Sequence, residues 1–441
     1  MLFIKKKMIE ILSIVSSILC LAIFLNFPFN FYHFKKIYLN FKLCYADSLL
    51  FNIIITINLF LFFSFFKINL NYLFLIIMFT SLSLIIINYK NFLILFKNNI
   101  FILLVFFVTI YSMSVAIAKT GFLEWDGLGH WIFKAQVYFQ GGEYKDLKNV
   151  PLNHYPHLGS YIWAFFWKNS YLQHEYFGRI FFIFIFVTSI FSLISKLSKK
   201  FSIIEKLLIV FSLCFLATNF YLFGGYQEYL IFFSFLCYSY FMLFFLENEH
   251  LFKKTYIPEI VILSILNILL WTKQEGFFYF FLLGFIFLLH GKRNLKQKFL
   301  FFIISLLFLS FFTFIKIHYF GHLSFNEKII NNEIVNNLNL SYFLKKIILI
   351  TKYFFITFVK YPIWIVIILS FFTLKYKSNF LNLNKFFYTF FFLSFSLVFA
   401  IFLQTTMDLK FLVPITLNRI VFAISGFYII LVIAALNNIK K

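Results

Sequence analysis

The stretch "GFLEWDGLGHWIFKAQVYFQGG" (121–142) begins three residues after the unbroken apolar run "IFILLVFFVTIYSMSVAIA" (100–118). The run is long enough to cross a bilayer, which takes about 20 apolar residues. The stretch after it is not: an acid, a histidine and a lysine recur in it at positions 126, 130 and 134. A helix over 127–140, stopped by Gly141-Gly142, puts Leu128, Trp131, Ile132, Ala135, Tyr138 and Phe139 on one apolar stripe. Asp126, His130 and Lys134, at i, i+4 and i+8, then point the opposite way. That is the pattern of a helix lying on a membrane surface with its apolar face in the headgroups.

The chain around this stretch is 441 residues long, 62% hydrophobic and 12% charged, with a mean hydropathy of +0.91. A soluble domain cannot hide that much apolar surface, so the composition implies a polytopic membrane protein. The apolar runs are continuous rather than alternating, so they read as helices, which satisfy their own backbone in lipid. About 13 such runs stand out, from 8–28 and 48–66 to 347–372, 386–405 and 420–437. Net charge is +23, but the cations are scattered lysines between apolar runs and only Arg179, Arg293 and Arg419 are arginines. This suits loops facing anionic lipid and gives no nucleic-acid surface. Cys20, Cys44, Cys214 and Cys237 have no metal or redox spacing.

From residue 176 onward the loops alternate. "KLSKK" (196–200), "ENEHLFKK" (247–254), "HGKRNLKQK" (290–298) and "KYKSNFLNLNK" (375–385) share one side, and the turns "GGYQEY" (224–229) and "WTKQEG" (271–276) share the other. The positive-inside rule makes the lysine-rich side cytoplasmic and the long segment 119–175 external. Ten of the sixteen acids then lie in or beside external connections: Glu124, Asp126, Glu143, Asp146, Glu175, Glu228, Glu275, Glu327, Glu333 and Asp408. Chemistry is expected on that side. The same count places the "KKK" at 5–7 outside, against the rule, and leaves the parity of the first hundred residues open.

Within these connections several side chains are candidates. Asp126 is either an acid with a chemical role or a helix N-cap, a position where Asp is among the best residues. His154, Tyr155 and His157 in "NHYPHLGSYIWAFFW" (153–167) offer hydrogen bonds and rings to a sugar or phosphate. A divalent metal is compatible with these histidines but is not required by their spacing. Arg179 in "QHEYFGRIFF" (173–182) sits at the mouth of a span, where arginine is costly unless it is paired, liganding or snorkelling. Gln227 and Glu228 in one short turn, and Lys273 and Glu275 in the other, must lie at the membrane edge. Arg419, placed just before the last run, is a phosphate-ligand candidate because arginine grips phosphate with two parallel bonds.

Taken in order, "EWDGLGHWIFKA", "HYPHLGSYIWA", "HEYFGRI", "GGYQEYLIFF", "WTKQEGFFYF" and "LNRIVF" resemble the GT-C superfamily of membrane glycosyltransferases. They look most like the bacterial relatives of protein mannosyltransferases and of lipid A aminoarabinose transferases. The resemblance covers about 99–425. It implies an all-α bundle of about 11–13 transmembrane helices with a long external loop carrying interfacial helices, 99–441 forming the catalytic module and 1–98 adding spans of unknown role. It further implies an inverting transferase of the bacterial plasma membrane, using a polyprenyl-phosphate sugar donor and a protein, lipid or glycan acceptor outside. Asp126 would be the loop acid that acts as base or orients the acceptor, and Glu228 a second acid. Lys273 and Arg419 would approach one another to hold the lipid phosphate, with His130, Lys134, His154, Tyr155, His157, Arg179, Gln227 and Glu275 around the substrates. The chain departs from the pattern in having Gln227-Glu228 where an Asp is common, and no Asp-x-Asp.

Two other classes fit the sequence less well. A secondary transporter would want ionisable groups at the bilayer midplane and paired repeats, and neither is evident in the runs. A polymerase or ligase of the O-antigen type also has many spans and a large outer loop, but that loop usually comes late in the chain.

Overall fold

The computed structural model describes residues 8, 11–19, 45–87, 89–90, 93, 97, 99–321, 340–375, 381–404 and 409–440. Among them every regular element is helical. The lysines at 5–7, most of the first apolar run, and Glu327, Glu333 and Asp408 lie outside the described residues. Among the described residues seven helices are long and apolar enough to cross a membrane, or eight when one bent pair counts as a single span. The expected 11–13 exceeds this because several apolar runs form helices of at most 17 residues, such as Leu49–Phe63, Ile257–Thr272 and Glu275–His290.

Contacts divide the chain into two compact units: residues 1–233 with 271–273, and residues 234–270 with 274–441. Residue 98, where a domain boundary is expected, lies outside the described residues.

The first unit begins with α1 (Tyr45–Phe63), α2 (Leu70–Ile87) and α3 (Ile100–Thr120). The long loop follows, carrying α4 (Ile132–Phe139) and α5 (Leu158–Lys168), and then come α6 (Tyr176–Phe191) and α7 (Ile203–Ala217). α6 is the centre of this unit. The span built on it is 94% buried, against 22% for α2 and 28% for α3. A helix apolar on every side belongs inside, and α6 packs against α3, α5 and α7. α2 and α3 present long apolar faces outward, Phe79, Ile86, Phe101 and Val108 among them, as helices bathed in lipid do.

α8 (Glu228–Glu247) and α9 (Ile257–Thr272) start or end in the first unit and run on in the second. The second unit adds α10 (Glu275–His290), α11 (Leu295–Phe320), α12 (Leu340–Lys360), α13 (Pro362–Lys375), α14 (Leu381–Gln404) and α15 (Leu409–Ile439). α15 packs on α12 and α13, and α14 on α10. Stacked rings fill this core, with Phe390 and Phe427 only 3.8 Å apart.

Two expected boundaries are corrected. The single span read at 347–372 is two helices meeting at 94°. Pro362 lacks the N–H that would continue α12 and restricts the residue before it, so the chain breaks at Tyr361 and restarts with Pro362 in the first helical position. The last run begins earlier than 420. α15 starts at Leu409 and tolerates Pro414, so Arg419 lies ten residues inside a helix instead of in a loop before it.

Candidate functional site

Gly121 ends α3 in the left-handed conformation (φ 58°), its N–H bonding to the Ile117 carbonyl. The chain then runs against the glycine turn of residues 224–225. The Glu124 N–H donates to the Gly224 carbonyl at 2.8 Å. A Cβ on Gly127 would stand 2.3 Å from the same oxygen, and Gly225 needs its φ of +102°. Backbone therefore lies on backbone, which only glycine permits at both faces.

From Gly127 to Trp131 the helix is a π-turn, closed by Ile132 N–H bonding five residues back to Gly127. π-turns are rare and concentrate at functional sites. They also change which side chains share a face, and here the expected sorting fails. Lys134 is not on a solvent face: it is fully buried, together with Trp131, Ala135 and Tyr138. Its ammonium donates to the Tyr155 carbonyl at 2.7 Å and lies over the rings of Trp131 (5.4 Å) and Tyr155 (5.7 Å). Most of the stripe assigned to lipid is packed against α5, while Leu128 stays 55% exposed.

Asp126 is not an N-cap. Its backbone is already helical and its carboxylate makes no capping hydrogen bond. It lies 3.9 Å from His130 Nε2, with both side chains under one-fifth exposed. His130 stacks on Tyr155 at 5.6 Å. Burial lowers the His130 pKa, the Gly129 backbone and Asp126 oppose this, and the charges of Lys134 and Lys273 add to the lowering. Burial and the two ammonium groups thus favour the neutral imidazole, against the pull of Asp126.

The glycine turn leads into α8, whose first residue, Glu228, meets Lys273 from the end of α9. Nζ and Oε1 are 2.9 Å apart and both side chains are 3–4% exposed. Next to them, Gln227 is fully buried, and among the described residues neither its amide N nor its O has a hydrogen-bond partner. The amide rests on Gly159, where a Cβ would stand 1.4 Å from Oε1. Asp126, His130, Lys134, Tyr155, Gln227, Glu228 and Lys273 thus belong to one unit, tied together through the opposed glycines. Among the described residues no group of three or more His, Cys, Asp or Glu could hold a metal.

The two loop histidines differ. His157 is buried, with Nε2 2.6 Å from Ser64 Oγ, and it is boxed by the rings of Tyr144 (4.5 Å), Phe65 (5.3 Å) and Trp271 (5.5 Å). It joins the α1–α2 turn to the loop, which is one role of the N-terminal region. His154 leans on the Tyr155 ring at 5.0 Å. Ser64, Phe65, Tyr144 and Trp271 were not singled out from the sequence. Trp271 stood in the quoted turn, but nothing in the sequence paired Ser64 with a histidine 93 residues away.

Arg179 is an internal clamp. It grips both oxygens of Glu175 (2.9 and 3.0 Å) and donates to the carbonyls of Phe122 (3.2 Å) and Phe223 (3.0 Å). Four bonds within the chain bind the start of the loop, α6 and the turn before α8, and leave the guanidinium little capacity for a phosphate. Burial raises the Glu175 pKa and Arg179 opposes it. Arg293 does the same work in the second unit, holding Glu259 and the carbonyls of Phe252 and Thr255. Glu275, at the start of α10, and Arg419, half-buried in α15, also belong to the second unit, whereas Lys273 belongs to the first.

No protein-family model, curated protein or solved structure matches this chain.

Proposed function

We propose that the protein is a membrane glycosyltransferase of inverting mechanism, moving a sugar from a polyprenyl-phosphate donor to a hydroxyl of a protein, lipid or glycan acceptor outside the plasma membrane. The observation that carries this reading is the grouping of a partly accessible carboxylate, Asp126, and a neutral His130 with the buried Lys273–Glu228 pair around one loop.

In the proposed reaction the acceptor oxygen attacks the anomeric carbon, the bond to the donor phosphate breaks, and the proton passes to Asp126. A positioned carboxylate is suited to that proton transfer. The leaving polyprenyl phosphate gains negative charge, which a cation at the site stabilises. Lys273 serves this role by exchanging Glu228 for a phosphate oxygen. A buried ion pair rarely adds net stability compared with apolar replacements, so keeping one here suits an ammonium that has work to do. Gln227 supplies a neutral amide for sugar hydroxyls. Glu275 and Arg419 are assigned no step.

The test is transfer from a labelled polyprenyl-phosphate sugar by purified protein, with bound lipid identified by mass spectrometry. Wild type is expected to carry polyprenyl phosphate or its glycoside and to turn over. Asp126→Asn should fold equally well and lose about 10²- to 10⁴-fold in rate. Wild-type protein with neither bound polyprenyl lipid nor turnover would sink the proposal.

A further inference from the structure

Five large apolar side chains stand out of the first unit around the place where the loop meets the glycine turn. Phe122 is 79% exposed, Trp125 80%, Leu128 55%, Phe220 51% and Tyr221 45%. They come from two segments about a hundred residues apart, yet the backbone beneath them is one rigid piece. Glu124 N–H bonds to Gly224 O, and one Arg179 nitrogen bonds to both Phe122 O and Phe223 O. Of the two acids in the first segment, Glu124 lays its side chain over Gly224, where a Cβ would meet its Cγ at 2.3 Å, and Asp126 sits beside His130. A clamp built from a part-buried ion pair and two carbonyls ties together the segments that carry these side chains.

We infer that this patch is a lipid anchor that docks in the interfacial layer of the bilayer crossed by α3. Continuity decides the occupant. α3 has 21 residues, about 30 Å of helix, which matches the hydrocarbon thickness. The face it exposes is apolar through Val108 and carries Ser112 and Lys119 beyond it, and Phe122 follows the helix end by two residues. Lys119, exposed in the last turn, supplies the cation that commonly flanks such an end, with its stem in the hydrocarbon and its head in the headgroups. Tryptophan and tyrosine are enriched at this depth because their rings have an apolar body and a polar edge. Trp125 and Tyr221 provide one of each, beside phenylalanine and leucine for the acyl boundary. The anchor fixes the height of the next residue, Asp126, at the headgroup layer. This inference needs no enzymatic activity and stands apart from the proposed function.

Tryptophan fluorescence tests it in proteoliposomes. Trp131, Trp163, Trp271 and Trp364 are each at most 1% exposed and Trp167 is half-buried, so bromine on lipid chains should act on Trp125 and more weakly on Trp167, and the part lost in Trp125→Phe is that of Trp125. Protein is reconstituted in phosphatidylcholine brominated near the carbonyl or deep in the chain, and Trp125→Phe is measured beside wild type at matched thermal midpoint. Strong quenching by the shallow bromines, weaker quenching by the deep ones, and loss of that difference in Trp125→Phe are expected. Quenching of Trp125 by aqueous iodide instead of by brominated lipid would overturn the anchor and leave the patch facing water. Protection from both quenchers would overturn it in favour of a second copy of the chain covering the patch.

Discussion

Replacing Lys273 with methionine strands the Glu228 carboxylate at a site where 3% of the side chain is exposed. The cheapest escape is to take up a proton. A free glutamate holds its proton only below about pH 4.3, and each pH unit is worth about 1.36 kcal/mol, so neutralising the acid at pH 7 costs about 3.7 kcal/mol. That figure falls within the 3–5 kcal/mol typical of a broken buried pair. It should shrink by about 1.4 kcal/mol for each unit the pH is lowered. Glu228→Gln strands the ammonium instead. Neutralising a lysine from about pH 10.4 costs about 4.6 kcal/mol at pH 7, and this cost should shrink as the pH rises. The double variant Lys273→Met with Glu228→Gln contains no ion and should lie within about 1 kcal/mol of wild type, or above it. Unfolding by sodium dodecyl sulfate titration in mixed micelles, at pH 6, 7 and 8, measures all four proteins. The reasoning fails if both single variants stay within about 1 kcal/mol of wild type, or if the double variant loses the sum of the two. Equal pH slopes in the single variants would refute it as well. Under the proposed function the double variant should be stable and inactive in transfer.

Arg179→Lys keeps the charge but not the fork that holds Glu175 and two carbonyls, and should lower unfolding free energy by at least about 1.5–3 kcal/mol. Bound polyprenyl lipid per folded protein should be unchanged, and a selective loss of lipid would show a phosphate role instead. Gly159→Ala drives a methyl group into the Gln227 amide and should cost about 1–3 kcal/mol. Adding Gln227→Ala should restore the thermal midpoint, because the nearest atoms met by the new methyl all belong to Gln227; failure of that rescue would place the strain elsewhere. His130 has a lowered pKa in the folded protein, so the unfolded chain takes up a proton first as the pH falls below about 6.5. Stability is therefore full above that pH and declines below it. His130→Gln should flatten the decline over pH 5–6.5 in thermal unfolding.

The helices were legible where apolar runs were unbroken, because lipid demands that pattern and leaves few alternatives. α6, α8 and α11 lie close to where their runs stand. The break at Tyr361-Pro362 was missed because hydropathy continues across it, and only the proline marks the change of direction. At the site, the acids and cations on one set of connections were legible as a collection, but their partners were not. Lys273 and Glu228 are 45 residues apart, and nothing local predicts their pairing. Lys134 was assigned to water by a count of 100° per residue, which the π-turn before it invalidates. Arg179 was read as a choice between snorkelling and a ligand, and the carbonyls of Phe122 and Phe223 offered a third solution that only folding assembles.

The turn from Gly127 to Trp131 has a consequence for how the loop can change over time. Closing a helical ring over five residues instead of four inserts one residue, and one residue of an α-helix is about 100° of rotation. The angular phase of everything ahead of Trp131 is thus set by a count of residues. Gly129, inside the turn and with open space where a side chain would be, is the residue whose loss would bring that count down by one. Such a loss would swing Trp125 and Asp126 together through about 100° relative to Lys134. The lipid anchor and the carboxylate are therefore geared to one another, and a single-residue deletion moves both.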